Sequence, residues 1–438
     1  MQQRYTRRSI LKATAATVAG AAVAGSDLLD WSSAWAADAP FKPESGARLQ
    51  VLRWKRFIQS EEDAFMELVA AFSKATGIEV EVLNESMDDV QPKSSVAVNV
   101  GAGPDLIWGL YSLPHLFPNR CTDLTDVADY LGGKYGGWVP AAETYGKSGD
   151  KWIGIPMCFG GNYINYRNSA IEKAGFKDVP QDLDGFLALC EAMKGGGMPA
   201  GMALGHATGD ANAWVHWALW AHGAAMVDEN DKVILNSPEA VAACEYVKKL
   251  YDAFIPGTAS WNDGSNNKAF LAGEVGLTNN GISIYQKALV DGLDIQNDMD
   301  HAYYPVGPVG EPTEFHIAYP ILVPTYSKFP NAAKAFIAFL MEAEQYNRWL
   351  EGSVAYLTHS LQAFEGNPIW TSDPKRKIFK EAANRTFVAG YKGSVGQKAA
   401  SAIAEFIVVD MFANTATGQM SPADAVADAT KKARRIYR

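Results

Sequence analysis

Leu49-Gln50-Val51-Leu52, then a helical stretch opening at Ser60-Glu61-Glu62-Asp63, then Ile78-Glu79-Val80-Glu81-Val82, then Gly103-Pro104-Asp105-Leu106-Ile107-Trp108: residues 49–108 decide the fold. The first run is apolar and strand-like. Phe65, Leu68, Val69 and Phe72 follow at helical spacing, behind a capping-box pattern at Ser60. Thr76-Gly77 ends that helix, since glycine takes the left-handed turn at a helix exit cheaply. Residues 78–82 alternate as a half-buried strand should, and Gly103-Pro104 breaks the chain before another short strand. Strand, helix, strand, strand is βαβ logic, so an α/β fold with a parallel-type sheet flanked by helices is expected.

The alternation continues outward. Trp152-Ile153-Gly154-Ile155-Pro156 leads into Asn162-Tyr163-Ile164-Asn165-Tyr166. Helices are expected at about 182–194, capped by Asp182, and at about 238–254, with Ser237 capping and Pro238 at the first position. A further helix is expected over about 331–348, and a last one behind Ser421-Pro422-Ala423-Asp424. No fixed-period repeat, coiled-coil heptad or low-complexity linker is present. A chain of 438 residues is too long for one core, and two domains without a linker imply more than one crossing between them.

The N-terminus reads as an export signal. Thr6-Arg7-Arg8-Ser9-Ile10-Leu11-Lys12 is a twin-arginine pattern, Ala13 to Gly25 is weakly apolar, and Ala34-Trp35-Ala36 is a small-x-small exit. Residues 1–36 are therefore expected to be removed, leaving a soluble chain in a bacterial periplasm that starts near Ala37. The apolar part is too short and Ala-rich to stay as a membrane span, and no later run approaches that length. The net charge is −10; the signal carries four basic and two acidic residues, so the remainder stands at −12. An acidic chain without a Lys/Arg cluster argues against nucleic acid and anionic membrane surfaces. Four cysteines, Cys121, Cys158, Cys190 and Cys244, lack a CxxC spacing, which argues against a redox motif or zinc. Cys190 and Cys244 sit on apolar helix faces, where buried thiols are common; a disulfide stays open.

Enzyme signals are weak. Gly195-Gly196-Gly197 has no preceding strand and no Lys-Ser/Thr, so it reads as a helix exit rather than a phosphate loop. His216 and His222, six apart, fall on different helix faces. No nucleophile elbow occurs, and Asp88-Asp89 reads as a solvated turn. No catalytic residue, metal or cofactor is expected. Aromatic residues carry more weight, with ten Trp after residue 36. Trp54 follows the first strand, and Trp108 and Tyr111 end another, where ligands of parallel sheets gather. Flat rings there suit the apolar face of a sugar. Trp214, Trp217 and Trp220 form a stripe on one helix face; Trp214, beside Asp210 and Asn212 at the start, has the better reach to a cleft.

These motifs together resemble family 1 extracellular solute-binding proteins, the maltodextrin-binding-like group. Gly103–Trp108 is similar to the family's Pro-Asp-hydrophobic segment. Trp152–Pro156 with Tyr166-Arg167-Asn168, Ala269-Phe270-Leu271-Ala272-Gly273 through Asn279-Asn280-Gly281, Pro330–Phe336, and Gly418 with Ser421-Pro422 follow in the same order, over about residues 48–438. The resemblance implies a two-lobe periplasmic-binding fold with a ligand cleft between the lobes. Residues 37–158 plus 305–356 would form the first lobe, and 159–304 plus 357–438 the second. It implies the substrate-binding component of an ABC transporter, closing about a hinge and passing a carbohydrate-type ligand to permease subunits, as a monomer exported through the Tat translocon.

Carried over by position, Trp108 and Tyr111 fall in a first-lobe ligand loop, and Asn212 and Trp214 in a second-lobe loop. Asn280 to Ser283 fall where the maltodextrin binders place a stacking Trp; that ring is missing here, as is another between residues 371 and 438. A small saccharide, polyol or sugar acid therefore fits better than a long glucan. Trp54, Asp88, His316, Tyr319, Arg385 and Tyr391 complete the expected ligand set, with His316 or Arg385 reading an acidic group. Phe159-Gly160-Gly161 is the expected hinge, with further crossings near Tyr304-Pro305 and Tyr356-Leu357. The rivals are a polyamine or other small-solute binder of the same fold, and a Tat-exported carbohydrate-active enzyme.

Overall fold

The computed structural model describes residues 40–438, so the export signal at 1–36 lies outside the described residues. Eight strands build two sheets: β1 (Arg48–Trp54), β2 (Glu79–Glu85), β3 (Leu106–Trp108), β4 (Ile155–Gly160), β5 (Tyr163–Arg167), β6 (Leu277–Asn280), β7 (Met299–Ala302) and β8 (Ile317–Leu322). The first sheet runs β2-β1-β3-β8-β4 and the second β6-β5-β7. Each is covered by helices, and the chain passes from one to the other within two residues, from Gly160 at the end of β4 to Tyr163 at the start of β5. This is the two-lobe α/β architecture.

The parallel expectation holds for part of it. β1 pairs parallel with β2 and β3. β8 pairs antiparallel with β3 and β4, and the second sheet is antiparallel throughout. The reason is the route: β8 comes back from the other lobe and enters the first sheet from the opposite end, which a local βαβ reading does not anticipate.

Local signals set most helix ends. Asp182, Ser237 and Ser421 accept hydrogen bonds from the N–H groups of Gly185, Ala240 and Asp424, as capping residues do. Gly77 ends the helix Gln59–Thr76 at φ 74°, the left-handed region that favours glycine. Two readings change. Ser60 is no cap: the helix has already begun at Gln59, and the Ser60 hydroxyl donates to the Gly352 carbonyl. Glu61 and Glu62 are buried, and Glu61 pairs with the fully buried Arg53 at 2.5 Å. The expected helix over 331–348 is two, Pro330–Leu340 and Ala343–Gly352. Glu342 breaks it, because its carboxylate accepts from the hydroxyls of Tyr130 and Tyr135 and from the Lys134 ammonium.

Residues 397–416 correct the reading that no later stretch is long and apolar enough to span a membrane: their mean hydropathy is 1.3. They are a kinked pair of helices broken at Phe406 with φ 51°: Gln397–Ala404 packs on Leu113–Leu116 of the first lobe, and Ile407–Ala416 on the second-lobe helices Asp210–Ala221 and Pro238–Asp252. All four cysteines are free thiols; Cys158, Cys190 and Cys244 are buried and Cys121 half-buried. Burial raises the thiol pKa at each, to about 12 at Cys121 and about 11 at Cys244, so they behave as small hydrophobes.

Candidate ligand cleft

A narrow cavity lies where the two sheets face each other. One wall comes from the first lobe. Trp54 stands at the carboxyl end of β1, stacked on Tyr319 of β8 with ring centroids 6.0 Å apart and planes at 17°. Tyr356 lies 5.9 Å from Trp54, and Phe57, 42% exposed, meets the Trp54 ring edge-on at 5.4 Å. The wall is aromatic because β1 and β8 both deliver large side chains at the sheet edge nearest the second lobe.

The other wall is polar. Helix Asp210–Ala221 starts at the cavity, and Asp263 caps it, accepting from the backbone N–H of Asp210 at 2.7 Å and of Gly209 at 3.0 Å. An acceptor there satisfies helix-end donors and suits the positive end of the helix dipole. Asp210 accepts from Asn162 Nδ2 at 2.6 Å and Asn266 Nδ2 at 2.8 Å. The Asn162 amide has no freedom to flip, because its oxygen accepts from Tyr304 at 2.6 Å and Asn279 at 3.0 Å. Both carboxyls are pushed up: burial is the main cause for each, Asp263 adds to it at Asp210, and Asp263 itself stands at about 6.

Five of the expected positions meet at this cavity: Trp54, Asn280, Tyr319, Gly160 and Gly161. Others lie close to it. Ser283 donates to Asn280 Oδ1 at 3.1 Å, and Asp88 accepts from Thr208 across the lobes at 3.1 Å. Tyr111 also bridges the lobes, donating to the Gly209 carbonyl at 3.3 Å; it and Asn212 line a separate narrow gap beside Leu113 and Phe406.

The remaining expectations are corrected. Trp108 is a core residue: its indole donates to the Tyr319 carbonyl at 3.1 Å and its ring packs on Phe65 and Trp349. Trp214 is fully buried, donating to the Ala203 carbonyl at 2.6 Å against Phe254. Arg385 and His316 are committed to Glu314 rather than to a ligand. Arg385 grips it with bonds of 2.6 and 2.9 Å, and His316 Nε2 lies 2.9 Å from it while Nδ1 accepts from the Asn162 N–H. Those partners hold the Glu314 carboxyl below its usual range despite burial. Tyr391 packs on Phe387 and Trp220, away from the cavity.

The hinge reading needs a different reason. Neither Gly160 nor Gly161 lies in the left-handed region. They are small because a Cβ would meet Tyr319 at 2.9 Å and Tyr163 at 2.7 Å respectively. Sequence reasoning missed Phe57, Asn162 and Asp263 as ligand groups, noted Asp210 only as a neighbour of Trp214, and placed Tyr356 only at a lobe crossing. The polar run Asn262-Asp263-Gly264-Ser265 ahead of a helix was the available signal for Asp263. No cluster of three or more metal-ligating side chains occurs among the described residues.

The fold and cleft define a binding protein of the two-lobe type, and the chain belongs to the bacterial extracellular solute-binding protein family, whose family model matches residues 67–378. It is similar in structure to the GacH receptor of Streptomyces glaucescens, described unliganded and with acarbose, at 20% identity and TM-score 0.74 over 90% of this chain and 99% of that one. It is similar to maltose-bound MalE3 of T. maritima at 18% identity and TM-score 0.77, over 89% of this chain and all of the other. A ribitol complex of an Agrobacterium radiobacter solute-binding protein aligns at 16% identity and TM-score 0.76, over 90% of this chain and 100% of that one. In sequence it is 22% identical over 220 residues to a protein of Deinococcus radiodurans named "Probable ABC transporter-binding protein", covering 48% of this chain. The chain spans about half the length of that curated relative, 52%.

Proposed function

We propose that this protein is the substrate-binding component of an ABC importer, holding a small saccharide or polyol between its lobes and delivering it to a permease. The observation that carries the reading is the cavity itself. Aromatic rings from one lobe face amides and carboxylates from the other, which is the pairing a sugar's apolar face and hydroxyl edge require. Relatives whose complexes hold acarbose, maltose and ribitol support the ligand class. The export signal supports work in the periplasm after passage through the Tat translocon.

We read the crossings between lobes at 160–163, near 314–317, and near 371–373. In support, Val306 bridges Asp182 and Pro305 accepts from Trp217, so 305–306 keep company with the second lobe. Thr358 and Leu361 bridge Phe159 and Trp138, which ties that stretch to the first. This moves both later crossings downstream of the sequence expectation.

The mechanism is a population shift: a ligand that touches both walls favours the closed state by its differential affinity. A thermal-shift screen against hexoses, disaccharides and polyols tests the ligand class, since a ligand at 100 times its dissociation constant adds about 2.7 kcal/mol. Small-angle scattering should show a smaller radius with the hit than without. A screen in which no sugar or polyol stabilises the protein would sink the reading.

A further inference from the structure

We propose that the ligand carries a protonated amine, seated between Asp210 and Asp263, so that the solute is an aminated sugar or aminated polyol. The inference rests on the carbohydrate reading and narrows it.

The charge arrangement carries it. The cavity wall holds two carboxylates, Asp210 and Asp263, and no Lys, Arg or His. Their hydrogen bonds come from neutral donors: Asn162 and Asn266 amides for Asp210, backbone N–H groups for Asp263. Those donors are fixed in direction. Asn162 Oδ1 is occupied by Tyr304 and Asn279, and Asn266 Oδ1 accepts from the Asn267 N–H, so both amides must present N–H to Asp210. The amide donors thus favour the acceptor-only, ionised form of Asp210, against the burial and the neighbouring Asp263 that push its carboxyl up.

Two carboxylates buried at one cavity with neutral donors alone forfeit hydration, and the charge of Asp263 further disfavours the charge of Asp210, so both are pushed up. The Arg56 guanidinium does not relieve this. It lies outside the cavity wall, packed 4.9 Å from the Trp54 ring and 4.8 Å from Tyr319. A hydroxyl would supply a hydrogen to these oxygens but no charge; an ammonium supplies both, with three donors to share between two carboxylates. Trp54, Tyr319 and Tyr356 then cover the carbon skeleton, and their ring faces also favour a cation.

Titration calorimetry at pH 7.5 with matched pairs tests this: glucosamine, galactosamine and 1-amino-1-deoxysorbitol against glucose, galactose, sorbitol and N-acetylglucosamine, with putrescine as a third arm. The amine of at least one pair should bind about 10- to 100-fold tighter than its neutral partner, the range for a charge-assisted contact. Asp210→Asn should remove that advantage while leaving the circular dichroism spectrum unchanged. Neutral members binding as well as or better than their amines would overturn the inference and leave the carbohydrate reading standing. Putrescine binding with no sugar or polyol of either kind would overturn both. A second measurement needs no ligand: Asp263→Asn should raise the melting temperature of the unliganded protein at pH 7.5, because burial penalises this charge by more than the helix end and its N–H donors offset. An unchanged or lower melting temperature means the two carboxylates are already compensated, and overturns the inference.

Discussion

The two walls of the cleft are built on opposite principles. The first-lobe wall is a set of rings, Trp54, Phe57, Tyr319 and Tyr356, stacked or edge-on and held by packing. The second-lobe wall is a set of amides and carboxylates, each orienting the next through bonds of 2.6–3.0 Å. Rings tolerate small shifts, since dispersion is non-directional. A hydrogen-bonded network does not, because each member left unpaired in a buried site costs about 1–3 kcal/mol. The first wall should therefore set how tightly a carbon skeleton is held, and the second which polar groups are admitted.

Substitutions separate the walls from the core behind them. The largest expected effect is Trp108→Ala, a core truncation that should cost about 3–5 kcal/mol of stability. Urea unfolding checks it, and the folded fraction should keep near-normal ligand affinity. Trp54→Ala, one strand away, should do the reverse: binding weakened by roughly 1–3 kcal/mol from the loss of a ring face, with a smaller change in unfolding. Equal behaviour of the two variants would dissolve the distinction between wall and core. Gly161→Ala places a methyl 2.7 Å from the Tyr163 ring, which Phe379 also packs against, and should cost about 1–3 kcal/mol of stability by overpacking.

The polar wall also has a pH signature. Asp263 stands at about 6 in the folded protein, above its usual carboxyl value. A raised pKa contributes stability that is present at low pH and lost as pH rises through it. Asp88, Asp210, Tyr111, Tyr319 and Tyr356 are the titratable groups acting on it or through it. The melting-temperature gain of Asp263→Asn over the native protein should thus grow between about pH 4 and 6 and level off above. Glu314 and Glu342, held low by their partners, act in the opposite sense, so the difference between the two proteins is the quantity to read. The smallest effect is expected for Phe57→Ala at the exposed rim, under about 1 kcal/mol of affinity by titration.

Trp54 and Trp108 also show where sequence reading stops. Both end strands of one sheet, and both read as ligand rings. The register pairs Trp108 with Arg53, so Trp108 shares Arg53's face and Trp54 takes the other. One residue of register put one ring in the cleft and the other in the core, and no local pattern encodes that pairing. Arg385 and His316 fail as ligand groups for a related reason: Glu314, far from Arg385 in sequence, claims both.

The sequence by itself determined the three strands and the helix Gln59–Thr76 within residues 48–108, though not the helix Met87–Val100 that Asp88-Asp89 opens, and the caps at Asp182, Ser237 and Ser421. Those features rest on side-chain periodicity and on contacts within a few residues, which the chain order contains directly. The tertiary structure alone decided which rings face the ligand, the antiparallel return of β8, and the meeting of Asn162, Asp210, Asp263 and Asn280 around one cavity. These depend on strand register and on partners 48 or more residues apart, such as Asn162 with Asp210, and such pairings exist only once the lobes have packed.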